Sequence, residues 1–220
     1  MVKNRLLTFF MCFFIIVLII SFSVGLPIYF RGFYYSQIES LGITKASGLE
    51  NSKIIEAYDD ILDYLTLKDS EFSAGEIKFT PSCESHFTDC RVLFTINFIA
   101  FFISAAVIIF LLILNKKRHF KFSKPFNLHF TFICGFFIIL TFLLIAEFFL
   151  IDFDFAFAFF HKILFLGKEN WIFNRFEDPI ITILPKKFFV NCGIFIICSI
   201  TLLSLCLMVF GFIKSNREIK

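Results

Sequence analysis

Four long stretches of the chain carry no charged residue. They lie between Arg5 and Arg31, Arg91 and Lys116, Lys124 and Glu147, and Lys187 and Lys214. Each exceeds the roughly 20 apolar residues that a helix needs to cross a hydrocarbon core about 30 Å thick. A backbone in lipid must satisfy its own polar groups, so these stretches predict four transmembrane helices, at about 6–30, 92–114, 125–150 and 188–213. The fold class expected is an all-α membrane protein, one membrane domain over 1–220, with a small mixed α/β extracytoplasmic cap built from about 31–91 and 152–187.

Inside the cap segments the polar spacing changes. Ile54, Ile55, Tyr58, Ile61, Leu62 and Leu65 recur three and four apart, which predicts an amphipathic helix over Leu49–Leu67 with Asp59, Asp60 and Asp63 on its wet face. Glu76–Thr80 alternates as a short strand does, and Thr80-Pro81 then has the form of a helix cap with proline at the first helical position. Asp154, Phe157, His161 and Leu164 share one stripe of a helix expected to lie in the membrane interface. Trp171–Asn174 and Ile180–Leu184, around a turn at Glu177-Asp178-Pro179, predict a hairpin. Tyr29, Phe30, Phe33, Tyr34 and Tyr35 form an aromatic belt suited to the headgroup boundary.

Charge orients the helices. The N-terminus, the loop Asn115–Lys124 and the tail from Lys214 hold 10 basic residues and 1 acidic one. The two longer inter-helix segments, counting Glu147, hold 11 basic and 17 acidic residues. Lys and Arg concentrate on the cytoplasmic side, so both termini are expected there and the cap outside. The formal net charge of +3 is therefore topological and gives no sign of a nucleic-acid partner. The first apolar run is too long for a signal-peptide core and no small-x-small site closes it, so it is expected to be a retained anchor.

Composition adds little to this. At 58% hydrophobic residues and a mean hydropathy of +0.84 the 220-residue chain is no ordinary soluble protein. Its 38 phenylalanines fit either a biased base composition or an aromatic-rich pocket for acyl chains, and only those beside the histidines bear on that choice. Seven cysteines show no metal-ligand spacing. On one helix Cys83 and Cys90 would be about 10 Å apart by the rise per residue, too far for a disulfide.

The candidate chemistry rests on histidine. Of four, His119 and His129 fall at the cytoplasmic end, while His86 and His161 fall outside, each close to a long apolar segment. His86 and Asp89, three apart, can share a helix face, and a carboxylate there could fix the imidazole tautomer; Asp89 could equally pair with Arg91 or meet water. No serine elbow, phosphate loop, nucleotide fingerprint or zinc motif accompanies them. Two imidazoles without nucleophile or metal suit direct proton management, one as base and one as donor, in acyl or phosphoryl transfer between groups that the substrate supplies.

Three blocks, Tyr58–Leu65 (YDDILDYL), Phe79–Arg91 (FTPSCESHFTDCR) and Asp154–Phe189, resemble the bacterial lipoprotein intramolecular transacylase family. The last block is specific, with Phe160-His161, Trp171, Asp178, Leu184-Pro185 and Phe188-Phe189. The family's histidine followed three residues on by aspartate falls on His86 and Asp89, and its second histidine on His161. The resemblance implies His86 and His161 as catalytic residues, with Asp89, Arg91, Asp154, Phe157 and Trp171 in support. It implies a diacylated lipoprotein in membrane lipid as substrate and no cofactor or metal. The sn-2 acyl chain would move to the α-amine of the same N-terminal cysteine. The chain departs from the pattern at Cys83 and Lys162, where acidic residues are usual. Two other readings stay open: a non-catalytic accessory protein with a partner-binding cap, and another lipid acyltransferase or esterase.

Overall fold

The computed structural model describes residues 3–117, 119–124, 126 and 128–217. Among these, four helices are long and apolar enough to cross a membrane: α1 (Arg5–Tyr29), α5 (Pro81–Lys116), α6 (Phe130–Ile151) and α8 (Lys186–Arg217). Their best windows have mean hydropathies of 2.6 to 2.8, so the chain is a multi-pass membrane protein. Shorter helices are α2 (Gly32–Tyr35), α3 (Ile43–Ser47), α4 (Asn51–Leu65) and α7 (Phe153–Leu164). At 1.5 Å per residue the 36-residue α5 is about 54 Å long, well beyond a hydrocarbon core of about 30 Å. Its charged first turns, with Glu84, Asp89 and Arg91, therefore have length to spare outside lipid.

The third membrane helix starts at Phe130, five residues later than its expected start at 125. Residues 125 and 127 lie outside the described residues, as do Arg118 and residues 218–220.

The chain forms two compact units. The first comprises Met1–Val24, Phe98–Glu147 and Ile196–Lys220. Its core is Met11, Ile15, Ile19, Leu111, Phe120, Phe130, Cys134, Ile138 and Ile200. A two-residue parallel bridge joins β1 (Lys3–Asn4) to β2 (Lys121–Phe122), and the Thr8 hydroxyl accepts from the Ser123 amide at 2.7 Å. His129 serves the same end: its amide donates to Ser215 Oγ at 2.7 Å and its Nδ1 lies 2.8 Å from Thr131 Oγ1.

The second unit comprises Gly25–Asn97 and Phe148–Phe195, and takes in both expected cap segments. The amphipathic pattern is realised as α4, which buries Ile54, Ala57, Tyr58, Ile61, Leu62, Tyr64 and Leu65. On its other side Asp59 and Asp63 hold Arg31, and Asp59 accepts from Tyr35 Oη at 2.5 Å. Desolvation, then the Asp59 carboxylate, push the Tyr35 phenol up to about 12, so it stays a donor throughout the working range.

Two expectations are corrected here. The cap contains no strand among its described residues. Thr80 gives its amide to the Asp178 carboxylate instead of a neighbouring strand, and Ile77 closes a turn onto the Ala74 carbonyl. Pro179 lacks an amide and fixes φ near −65°, so Pro179–Thr182 winds as a 3-10 turn that buries Ile180. Tyr34 is not part of an interfacial belt but is fully buried, stacked on Tyr58 and donating to the Ile183 carbonyl at 2.7 Å. Tyr29 and Phe30 are exposed, as a belt requires.

Candidate functional site

The site is built within the second unit from the start of α5, from α7 and from the loop after α7. Thr80 caps α5 as its sequence predicts: its Oγ1 accepts from the Cys83 amide at 3.2 Å, with Pro81 following. Asp178, 4% exposed, then holds Thr80, accepting from its amide at 2.7 Å and its hydroxyl at 3.2 Å. This buried anchor fixes where α5 begins and hence which way its side chains turn. Cys83, His86 and Phe87 face inward and are buried, while Ser85 and Asp89 lie on the adjoining stripe.

Replacing Asp178 with alanine is expected to destabilise the protein by about 2 kcal/mol, because the Thr80 amide loses its acceptor. Thermal unfolding of the purified protein in detergent checks this, and Asp178→Asn, which keeps one acceptor, should lose less.

Helix α7 starts at Asp152, whose side chain accepts from the Phe155 amide at 3.0 Å. Its inner face carries buried Ala156 and His161, and Phe157 leans on the imidazole with ring centroids 4.0 Å apart. Phe155, Phe159, Phe160 and Ile163 on its outer side are exposed, the apolar surface expected of an interfacial helix. The helix ends at Leu164, and Leu166 at φ 51° and Gly167 at φ 81° turn the chain back.

His86 and His161 come together. Their ring centroids are 6.0 Å apart and the rings are within 27° of parallel. They are 7% and 9% exposed. Phe165 and Phe173 pack on His86, at 4.8 and 5.4 Å. Phe157, Phe165 and Trp171 pack on His161, Trp171 at 4.7 Å. The result is a pair of imidazoles in an aromatic cage.

Their hydrogen bonds differ. His161 Nδ1 lies 2.7 Å from the Phe157 carbonyl, which can only accept. Nδ1 therefore carries the proton, and Nε2 keeps a lone pair that no described group engages. Burial pushes the His161 imidazole below its ordinary range, while the Phe157 carbonyl opposes that shift. It is thus a neutral base at neutral pH. His86 Nε2 lies 3.5 Å from Cys90 Sγ, and its buried Nδ1 has no partner among the described residues.

Asp89 does not fix the His86 tautomer. Both of its oxygens accept from Lys168 Nζ, at 2.7 and 2.9 Å, and Oδ2 accepts from Asn170 at 3.0 Å. The carboxylate pins the loop after α7 to α5, and Trp171 Nε1 donates to the Lys168 carbonyl at 2.9 Å. Asp89 thereby helps hold Trp171 against His161. Arg91 lies away from the imidazoles, over the Tyr64 ring at 4.4 Å and donating to the Ser70 carbonyl. Asp154, 76% exposed, pairs with Lys186 at 2.5 Å and touches neither histidine. Cys83 and Cys90 are free thiols.

Lys168, Asn170, Phe165, Phe173 and Cys90 belong to the site although their sequence context does not single them out. The one local signal is Gly167, part of the turn after α7 that returns Lys168–Trp171 toward it. Among the described residues no cluster of three or more His, Cys, Asp or Glu side chains is placed to hold a metal.

Comparison with known proteins bears on this geometry. The model of a family described as lipoprotein intramolecular transacylase Lit matches residues 9–189, a stretch that contains both histidines, Asp89 and Trp171. Among solved structures, the chain is similar to the membrane-integral lipoprotein intramolecular transacylase Lit from Bacillus cereus. The identity is 21% and the TM-score 0.86, with 98% of this chain and 97% of that one covered. Structures of the same Bacillus cereus protein with one histidine changed to arginine or alanine match at 23% and 24% identity. Both have TM-scores of 0.77, with 98% and 97% of this chain and 94% of theirs covered. At such identities the likeness establishes the fold. No curated protein matches the chain.

Proposed function

The chain belongs to the lipoprotein intramolecular transacylase family, and from that premise we propose that it moves the sn-2 acyl chain of an S-diacylglyceryl lipoprotein onto the α-amine of the same N-terminal cysteine. The product is an N-acyl, S-monoacylglyceryl (lyso-form) lipoprotein. The observation that carries this reading is the pair of buried imidazoles, 6.0 Å apart in an aromatic cage. The substrate brings both reacting groups, the amine and the ester, so the protein has to manage protons and conformation only.

Attack closes a medium ring through N, Cα, Cβ, S, two glycerol carbons, the ester oxygen and the carbonyl carbon. Such rings are entropically awkward, and a rigid cage that folds the substrate back on itself supplies much of the rate. An α-ammonium has a pKa of about 8, so an imidazole can take its proton as the C–N bond forms. His161 suits that step, because its Nδ1 is committed to the Phe157 carbonyl and its Nε2 lone pair is open. His86 then stabilises the oxyanion and gives a proton to the departing glyceryl oxygen as it recovers one from protonated His161, so both rings end neutral. Asp89, Lys168 and Asn170 hold the loop that carries Trp171. No step calls for a metal or cofactor. The charge asymmetry of the loops supports an extracytoplasmic site at the cytoplasmic membrane, with both termini inside.

The test is expression in a bacterium that makes only diacylated lipoproteins, followed by mass spectrometry of a lipoprotein N-terminal peptide. The transfer is an isomerisation, so the intact mass stays the same while fragment ions place one acyl chain on the cysteine nitrogen. A free amine despite well-expressed protein sinks the proposal. An added acyl mass would point instead to a transferase that draws on phospholipid.

The cage also sets a pH dependence. With the His161 pKa held below its ordinary value by burial, the base stays neutral, and activity should persist on acidification until the pH falls below about 6.5. Trp171→Ala opens His161 to water, which raises its pKa toward the ordinary value. The acid limb of the rate profile should then move to higher pH, and an unmoved limb would show that burial by Trp171 does not tune the base.

A further inference from the structure

Cys90 stands one helical turn after His86 on α5, with Sγ 3.5 Å from His86 Nε2. It is a free thiol and so has a proton to donate. We propose that Cys90 is a positioning residue that fixes the tautomer of His86, so that His86 presents an N–H at Nδ1 while His161 presents a lone pair at Nε2. The proposal rests on the two-histidine reading of the site and deepens it.

A thiol is a weak donor and a weak acceptor, whereas an unprotonated imidazole nitrogen is a good acceptor. The better pairing is therefore S–H to Nε2, which leaves the ring proton on Nδ1. Among the described residues no other group hydrogen-bonds either ring nitrogen. Asp89, the nearest carboxylate, is committed to Lys168 and Asn170. Phe87, Phe165 and Phe173 offer no hydrogen-bonding atom, and His161 is the remaining titratable group facing the ring.

The Nδ1 atom is buried and has no partner among the described residues. Buried polar atoms are rarely left so, and an unsatisfied one in a reactive pocket marks the place a ligand completes. An N–H there would meet the ester carbonyl oxygen as it gains charge, and then the glyceryl oxygen as it leaves. In the other tautomer His86 would turn a lone pair toward the forming oxyanion and could not stabilise it.

Full-length protein labelled with 15N-histidine reports the tautomer directly, through the shifts of the two ring nitrogens of His86. The wild type should show Nδ1 protonated and Nε2 bare. Cys90→Ala should lose that preference and lower kcat about tenfold with KM unchanged, the effect of one lost hydrogen bond in the transition state. Cys90→Ser should keep the tautomer and restore most of the rate. If Cys90→Ala fails to accumulate, Cys90→Val fills the same space without a donor and takes its place. A wild-type His86 protonated at Nε2 overturns the proposal. So does a Cys90→Ala protein with the wild-type spectrum, or equal losses in the Ala and Ser variants with the tautomer unchanged. A protein with the expected tautomer that transfers no acyl chain leaves the Cys90 assignment standing and refutes the transacylase reading instead.

Discussion

Replacing His161 with alanine is expected to slow acyl transfer by a factor between about 10² and 10⁴, the usual contribution of a positioned acid or base. KM should change little, because proton removal from the amine is an interaction of the transition state and not of the bound substrate. His86→Ala should cost a similar factor. The double variant should be little slower than either single one, since the two imidazoles act in one proton transfer and their effects do not add. The measurement is the rate at which N-acylated cysteine appears on a diacylated peptide in detergent or bilayer. Equal amounts of monodisperse protein show that the fold is intact. Two single variants with wild-type rates would rule out proton management by this pair. Among the described residues neither imidazole hydrogen-bonds outside its own helix, so a pure loss of stability is not the expected result.

The ease with which this pair is found in the sequence has a simple cause. Long uncharged runs and the Lys/Arg asymmetry are properties of single segments, and they single out His86 and His161 as the histidines expected outside before any contact is known. Thr80 as a cap and the stripe of α4 are equally local. What fails to show is anything decided by a partner far along the chain. Asp89 reads as a partner of His86 because three residues bring them onto one face, but Lys168, 79 positions away, takes both oxygens. Glu76–Thr80 and Ile180–Leu184 alternate like strands, yet Asp178 claims the Thr80 amide across 98 residues and Pro179 removes an amide that a strand would need. Tyr34 reads as a belt residue beside Phe33 and Tyr35. Only Tyr58 and the Ile183 carbonyl, brought in by folding, make it core.

The same distinction underlies the largest stability effect expected outside the site. Gly211 of α8 and Gly135 of α6 look like ordinary glycines in apolar helices. In the first unit they let two helices approach to backbone contact. A Cβ on Gly211 would lie 2.5 Å from the Phe132 nitrogen and 2.6 Å from Thr131 Oγ1, and one on Gly135 would lie 2.7 Å from the Ser204 carbonyl oxygen. Backbone atoms cannot swing aside as a side chain can, so Gly211→Ala must separate the helices. Overpacking of this kind costs about 1–3 kcal/mol, and Gly211→Leu should exceed that range. Small residues at such crossings drive helix association in lipid, where the hydrophobic effect does not act between helices. Gly193 supplies the control on the same helix. Nothing lies within 4 Å of a Cβ there, so Gly193→Ala should be neutral or slightly stabilising through helix propensity. Thermal unfolding in detergent separates the cases. Equal loss at Gly211 and Gly193 would mean that glycine flexibility, and not close approach, is what α8 requires.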